Sequence, residues 1–568
     1  MEKQVSTGST KSSARSGSQG SRSRYGEVTS APVKVSGADW REAASAPEME
    51  TGTWRVASFC ILALAALVRL YALELKPLHH DEGVNGFFLL NLLNNGVYKY
   101  DPANYHGPTL YYFTLVVVKF FKLFGFSLST MAVRLAPVLF GVGSVWLILC
   151  LRRRIGAMGA LAGAALLALS PGAVYMSRYF IHESLFVFFT LAIVVAVLRY
   201  TESANHLYLL LAATSAALLF ATKETAMISA GVLLIALGLA VLYVRPGKDA
   251  VSEMKPESRK RQSHRSQKRT SPTALSIDER LARFGGSAGV AAWALAALVF
   301  FVFVYVLFYS SFFKNMQGLS DSLKTFEIWA KTGTKDHVHE WYTYLSWLWH
   351  EEGALLVLGA FGALVALASA RSRFHVFAAL WATGIVAAYS LIPYKTPWLT
   401  LNLIVPLAII AGYGVDVMYR GMRDNLQGRI LVLALVLVGL TISGYQMFQL
   451  NFRHYDDDRY IYPYAHTVRE MLPLVDEINR YAERKGTGKQ TTINFTSPDY
   501  WPLPWYLRDY KRVGYGGRIA VSGESLVVAS EMQVEELENL LGDNYRRAGD
   551  YQLRPGVTLV LYERRDLP

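Results

Sequence analysis

The residues able to do chemistry stand in short groups. His79, His80, Asp81 and Glu82 are consecutive, and Tyr105, His106 and Gly107 follow. Then come Arg178, His182 and Glu183, the adjacent Lys223 and Glu224, and Tyr394 with Lys395 enclosed by Pro393 and Pro397. A carboxylate such as Asp81 can take a proton from an acceptor hydroxyl, while Lys395, Arg178 and Lys223 can hold a phosphate. A phosphate neutralised by cations leaves without being protonated. Sugar transfer from a lipid phosphate therefore needs one base and a cationic clamp, whereas a glycosidase needs two carboxylates. General-base help contributes about 10²–10⁴-fold, with electrostatic stabilisation of the departing phosphate added.

Each group alone has a plainer reading, a helix end anchored at the lipid headgroups by paired charges. Taken together, acidic and basic residues gathered on one face favour a site. The histidines His79, His80, His106 and His182 come from separate segments, and two adjacent histidines do not easily chelate one ion. Hydrogen-bonded loop histidines are the simpler reading than a metal centre.

These groups lie between apolar runs. Of 568 residues, 52% are hydrophobic and 18% charged, against about one-quarter charged in a soluble domain. The runs are near the ~20 residues needed to cross a bilayer, which excludes a large soluble enzyme. Spans are predicted at 54–73, 130–151, 155–174, 182–199, 206–222, 226–244, 287–311, 352–370, 374–392, 397–419 and 429–449, about eleven in all. Residues 109–126 contain Lys119 and Lys122, and a crossing there would put Arg152, Arg153 and Arg154 outside. They read as an interfacial or re-entrant helix, and 84–93 as a short helix along the membrane surface.

With that choice Arg152 to Arg154, the stretch 245–283, Arg371 with Arg373, and Arg420 with Arg429 all fall on the cytoplasmic side. The chemical groups fall on the opposite side. The net charge of +13 then reports topology, with some attraction to anionic lipid, and not nucleic acid. Cys60 and Cys150 read as small buried hydrophobes.

Residues 1–53, rich in Ser, Gly, Thr, Lys and Arg, are expected to form a disordered cytoplasmic tail, with the first apolar run a signal anchor. The membrane domain spans 54–450 and includes a basic cytoplasmic loop at 245–285. From 451 to 568 the composition is that of a soluble domain. HTVREMLPLVDEINRYAERKG and VEELENLLG have helical spacing, and TTINF, SLVVAS and TLVLYE are strand-like. The fold class expected is an α-helical polytopic membrane protein with a small extracytoplasmic α/β domain at its C-terminus.

HHDEG, HGPTLYYFTLVVVKFFKLFG with RLAPVLFGV, SRYFIHESLFVFF, ATKE and IPYKTPWLTLNLIVPLAIIAG resemble the membrane glycosyltransferases of the GT-C superfamily. The likeness is to the branch of protein O-mannosyltransferases and aminoarabinose transferases. With YWPLPWYLRDY, the order of motifs most resembles the prokaryotic flippase-activity-associated proteins of N-glycosylation. The resemblance spans most of 54–568. It implies a polyprenyl-phosphate-linked sugar as donor and inversion at the anomeric carbon. It further implies Asp81 as catalytic base with Glu82 beside it, and Lys395, Arg178 and Lys223 on the lipid phosphate. His80, Tyr105, His106, His182, Glu183, Glu224 and Tyr394 would shape the donor or acceptor pocket. Some relatives use a divalent metal, for which Asp81 and Glu82 would be the place. No WWDYG-like motif is present, so the likeness stops short of the oligosaccharyltransferase peptide site.

Two functions compete. One is a glycosyltransferase acting on a hydroxyl of a protein, lipid or glycan at the extracytoplasmic face of the cell membrane. The other is a non-catalytic accessory protein or translocator of lipid-linked sugars, which would call for polar groups along a path across the membrane. The spans read as largely apolar at their centres, which favours the enzyme. An ion-coupled transporter would need acidic residues mid-span or broken helices near the midplane, and ranks last.

Overall fold

The computed structural model describes residues 49–104, 106–244, 282, 284–332 and 337–565. The expected tail and most of the basic loop lie outside them, as does Tyr105. The first helices are α1 (Thr51–Leu70), α2 (His80–Asn95), α3 (Thr109–Leu123), α4 (Thr130–Leu149) and α5 (Arg152–Ile155). Then follow α6 (Ala157–Leu169), α7 (Pro171–Ser177), α8 (Glu183–Ser203), α9 (His206–Phe220) and α10 (Ala226–Tyr243). The second half of the bundle is α11 (Gly286–Tyr309), α12 (Gln317–Thr332), α13 (Thr343–Ser369), α14 (Arg373–Leu391), α15 (Leu401–Gly421) and α16 (Leu426–Phe448).

Among the described residues nine helices are long and apolar enough to cross a membrane, ten if the pair α6 and α7 counts as one span. Fewer pass than the sequence predicts because α9 has only 15 residues, short for a bilayer, and because α6 and α7 meet at 61°. The bend is local chemistry. Ser170 caps α7 and Pro171 occupies its first turn, where proline is tolerated and the preceding helix must end. The carboxylate of Glu352 holds the break, accepting from Ser170 Oγ at 2.7 Å and from the Gly172 N–H at 2.8 Å. Residues 84–93 are helical within α2, and 109–126 hold the 15-residue α3. Cys60 lies on an exposed face of α1 and not in the core, since α1 packs along one side only.

Behind the bundle come α17 (Leu472–Arg484), α18 (Leu503–Tyr506) and α19 (Val534–Leu541) with a five-stranded sheet. The strands are β1 (Thr492–Phe495), β2 (Arg512–Tyr515), β3 (Leu526–Ser530), β4 (Tyr545–Arg554) and β5 (Val557–Arg564), in spatial order β2-β1-β3-β5-β4. β1 runs parallel to β2 and β3, and β5 antiparallel to β3 and β4. Alternation along the strands fills two cores. Ile493, Phe495, Val528 and Leu561 pack on one face with Leu474 and Ile478 of α17. Val527, Ala529, Val560 and Tyr562 pack on the other with Leu537 of α19. The sequence signals β1, β3 and β5. β2 and β4 are missed because their outward residues, such as Arg512, Arg546 and Arg547, hide the alternation.

Candidate functional site

The loop between α1 and α2 turns on one buried ion pair. Glu82, fully buried in the first turn of α2, accepts from Arg134 of α4 through both oxygens, each at 2.7 Å. It also accepts from the backbone N–H groups of His79 at 3.0 Å and Phe180 at 2.7 Å. The remaining Arg134 protons go to the carbonyls of Leu73, Lys76 and Pro77. His79 caps α2, its Nδ1 accepting the Asp81 N–H at 3.0 Å in a capping box completed by Glu82. Asp81 is thereby held at the helix start with 42% of its side chain exposed, its carboxylate 3.7 Å from the unprotonated Nδ1 of His79. Neighbours in sequence, the two carboxylates do opposite things. Glu82 builds the loop and Asp81 faces out of it.

A second group forms where the segment before α3, the start of α8 and the α9–α10 turn meet. The N–H groups of Gly107 and Thr109 donate to the carbonyls of Thr222 and Ala221. Gly107 is required there, since a Cβ would lie 2.1 Å from the Ala221 carbonyl oxygen. Lys223 Nζ donates to Glu183 at 2.7 Å, both side chains buried. Burial opposes the Lys223 charge, yet Glu183 and Glu224 drive its pKa upward. His106 meets Glu224 at 3.1 Å, and against the cost of burial His106 and Lys223 hold Glu224 down to about 2. His182 places Nε2 3.0 Å from the Gly107 carbonyl, and burial with His106 and Lys223 beside it pushes its pKa well below the usual value.

Tyr394 stands between these two groups. Burial raises its phenol pKa, Lys223 opposes that rise, and Asp81, Glu224 and Glu183 add to it. Tyr394 pairs with Val338 in a short antiparallel bridge, and the Lys395 N–H donates to the His337 carbonyl at 2.9 Å. His80, half-buried, turns toward Trp501 with ring centres 6.2 Å apart.

The cations expected on a phosphate are otherwise engaged in this structure. Arg178 caps the C-terminus of α1, donating to the carbonyls of Val68, Arg69, Tyr71 and Ala72. Lys395 is buried, with Nζ on the carbonyls of Ser390 at 3.1 Å and Ile392 at 2.6 Å. Lys223 has Glu183. The residues sequence reasoning overlooks are Arg134, Glu352, Lys76 and His466. Arg134 sits inside an apolar run and His466 lies in a segment remote in sequence, so neither carried a local signal. Among the described residues no set of three or more His, Cys, Asp or Glu side chains is placed to hold a metal. With both Glu82 oxygens on Arg134, Asp81 lacks a second carboxylate for one.

The C-terminal domain presses on this loop. A Cβ at Gly83 would lie 2.7 Å from Pro502, and one at Gly86 2.7 Å from the Trp505 ring. The Leu78 N–H donates to the Tyr506 hydroxyl at 2.9 Å, and Trp505 Nε1 to Thr130 Oγ1 at 3.3 Å. The aromatic stretch 500–510 thus clamps the start of α2.

The family model described as dolichyl-phosphate-mannose-protein mannosyltransferase matches residues 106–254. Among solved structures, ArnT from Cupriavidus metallidurans in the apo state is similar with a TM-score of 0.58 at 14% identity, over 90% of this chain and 98% of that one. The chain has the GT-C fold. The same ArnT bound to undecaprenyl phosphate gives a TM-score of 0.56 at 14% identity over the same shares. The Archaeoglobus fulgidus oligosaccharyltransferase tethered with an acceptor peptide gives 0.48 at 13% identity, over 82% of this chain and 64% of that one. No curated protein sequence matches. The fold match over 90% of the chain and the long apolar helices make this a polytopic membrane protein, and the mannosyltransferase family model matches within its helical part.

Proposed function

We propose that the chain transfers a sugar from a polyprenyl phosphate to an acceptor hydroxyl, with inversion, and that Asp81 is the base. The observation that carries this reading is the contrast among the carboxylates of the site. Glu82 is on Arg134, Glu183 on Lys223 and Glu224 on His106. Asp81 alone of these is open, and it meets no Lys or Arg among the described residues. A base must reach the proton it removes, and Asp81 is the carboxylate with room for a hydroxyl against it.

Glu82 and Arg134 then position Asp81, and Tyr394, Lys223 and Glu224 line the pocket beside it. The ArnT structure with undecaprenyl phosphate supports a lipid phosphate as the donor's anchor. Arginine clusters at the opposite ends of the helices support a cytoplasmic N-terminus, with the site and the C-terminal sheet outside. The domain limits that go with this are 54–450 for the membrane part and 451–568 for the outer part.

Purified protein in liposomes, given labelled polyprenyl-phosphate sugars and membrane extract as acceptor source, tests the proposal. Wild type should release polyprenyl phosphate, and Asp81→Asn should release it at least about 10²-fold more slowly. Equal rates would overturn the base, and no release by wild type with any sugar would favour an accessory or translocating role.

A further inference from the structure

Lys76 is a buried amine without an acceptor, and burial, then Arg134, pushes its pKa well below the ordinary value. It is 3% exposed, and its Nζ makes no hydrogen bond and lies 3.6 Å from the centre of the Tyr175 ring and 4.8 Å from that of Tyr179. His466, 1% exposed, stands on the same rings and 5.5 Å from the His79 ring, and both of its nitrogens also lack a partner. The neighbouring buried cations contrast with this. Arg134 is on Glu82, Lys223 on Glu183, Arg178 on the α1 carbonyls, and Arg69 on Ser177 and the carbonyls of Ala65, Leu167 and Ala168. Burying an amine with none of its hydrogen-bonding groups satisfied is costly, and contact with the ring faces offsets only part of that cost. A group that keeps such an arrangement is prepared for an acceptor that arrives.

We propose that Lys76 and His466 receive the phosphate oxyanion of the polyprenyl-phosphate donor, directly behind Asp81. This rests on the glycosyltransferase reading above and names the residues that take the donor's charge, which Arg178 and Lys223, with their protons already placed, do not. Several features favour an oxyanion over a neutral group. Arg134 and Arg178 both act on Lys76, with Glu82 as the opposing carboxylate, so the local balance is positive. An oxyanion beside it favours the charged form of Lys76, which then offers three protons, and a neutral His466 one more, to an acceptor with several lone pairs. Burial, then the charges of Lys76, His79 and Arg134, keep His466 well below its usual pKa and therefore neutral. The segment carrying His466 packs against the cap of α2, its Tyr464 carbonyl 3.1 Å from His79 Nε2.

The test is binding of polyprenyl phosphate, without sugar, to the full-length protein in detergent, read as a dissociation constant and as a ligand-induced rise in thermal midpoint. Lys76→Met should weaken binding roughly tenfold to a hundredfold, the range for a hydrogen bond to a charged group. It should leave the ligand-free midpoint unchanged or higher, because an unsatisfied buried polar group has been removed. Lys76→Arg should restore part of the affinity, and His466→Phe should weaken binding by a smaller factor. A Lys76→Met protein that binds as wild type does would overturn the proposal. So would one whose ligand-free midpoint falls while its ligand-induced rise is kept, since the lysine would then be packing alone. If wild type itself fails to bind polyprenyl phosphate, the glycosyltransferase reading fails and not merely the assignment of Lys76.

Discussion

The two ends of the helix bundle carry charge in different ways. At one end Glu202 draws Arg154 at 2.8 Å, Arg199 at 3.0 Å and Arg153 at 3.9 Å, while Asp416 draws Arg420 at 2.6 Å. Most of these arginines reach solvent, with Arg153 73% and Arg420 37% exposed. At the other end Glu82 with Arg134 and Glu183 with Lys223 are dry. A pair in solvent adds little stability, whereas a buried pair cannot lose one member without stranding the other. Arginines at the first end mark an orientation. Those at the second end hold up a loop, and Asp81 is exposed because its neighbours are not.

Breaking the buried end should have the largest effect. Arg134→Ala strands Glu82 and should cost about 3–5 kcal/mol, seen as loss of the monodisperse peak in detergent or a large fall in thermal midpoint. An equal loss from Arg420→Ala would break the comparison. Next in size, Gly86→Ala drives a methyl into Trp505, and about 1–3 kcal/mol of overpacking should follow. Sugar transfer should fall with it although Asp81 is untouched, and unchanged transfer would show that the aromatic clamp does not position α2.

Acid should separate the ends further. Burial lowers the pKa of His79, His182 and His466, so these remain neutral when folded. The unfolded chain binds more protons below about pH 6.5, and stability should therefore drop as pH falls from about 6.5 to 5. Glu224 does not blur this window. Its folded pKa of about 2 means its contribution is complete above the unfolded value near 4.3 and is lost only in stronger acid. Midpoints measured at pH 7.5 and 5.5 check the drop, and His466→Phe should shrink it. The smallest effect belongs to Glu202→Gln at the arginine-rich end, within about 1 kcal/mol per pair and weaker still in high salt.

Much of this was legible in the residues. Runs of apolar side chains announce the spans because a bilayer demands length and hydrophobicity along one dimension. The groups around Asp81, His106, Lys223 and Tyr394 stood out because charge between such runs is conspicuous, and the backbone bonds of Gly107 and Thr109 bring the His106 and Lys223 groups together. The division of labour among them was not legible. Asp81 and Glu82 are chemically near twins, and nothing local says that an arginine from α4 will take one of them. Arg178 reads as a phosphate ligand until the open carbonyls of α1 are seen to need it. Lys76 reads as one more loop lysine until its lack of an acceptor is seen.

By itself the sequence determined the membrane class, the helix count to within one or two, the sheet-bearing C-terminus and the places where polar chemistry gathers. Those follow from what each stretch loses or gains on leaving water, a property of composition and period. Only the tertiary structure decided which carboxylate is open, which cations are already satisfied and which lysine has no acceptor. Hydrogen bonds to buried charge are settled by partners from distant segments, and no stretch of chain contains that information alone.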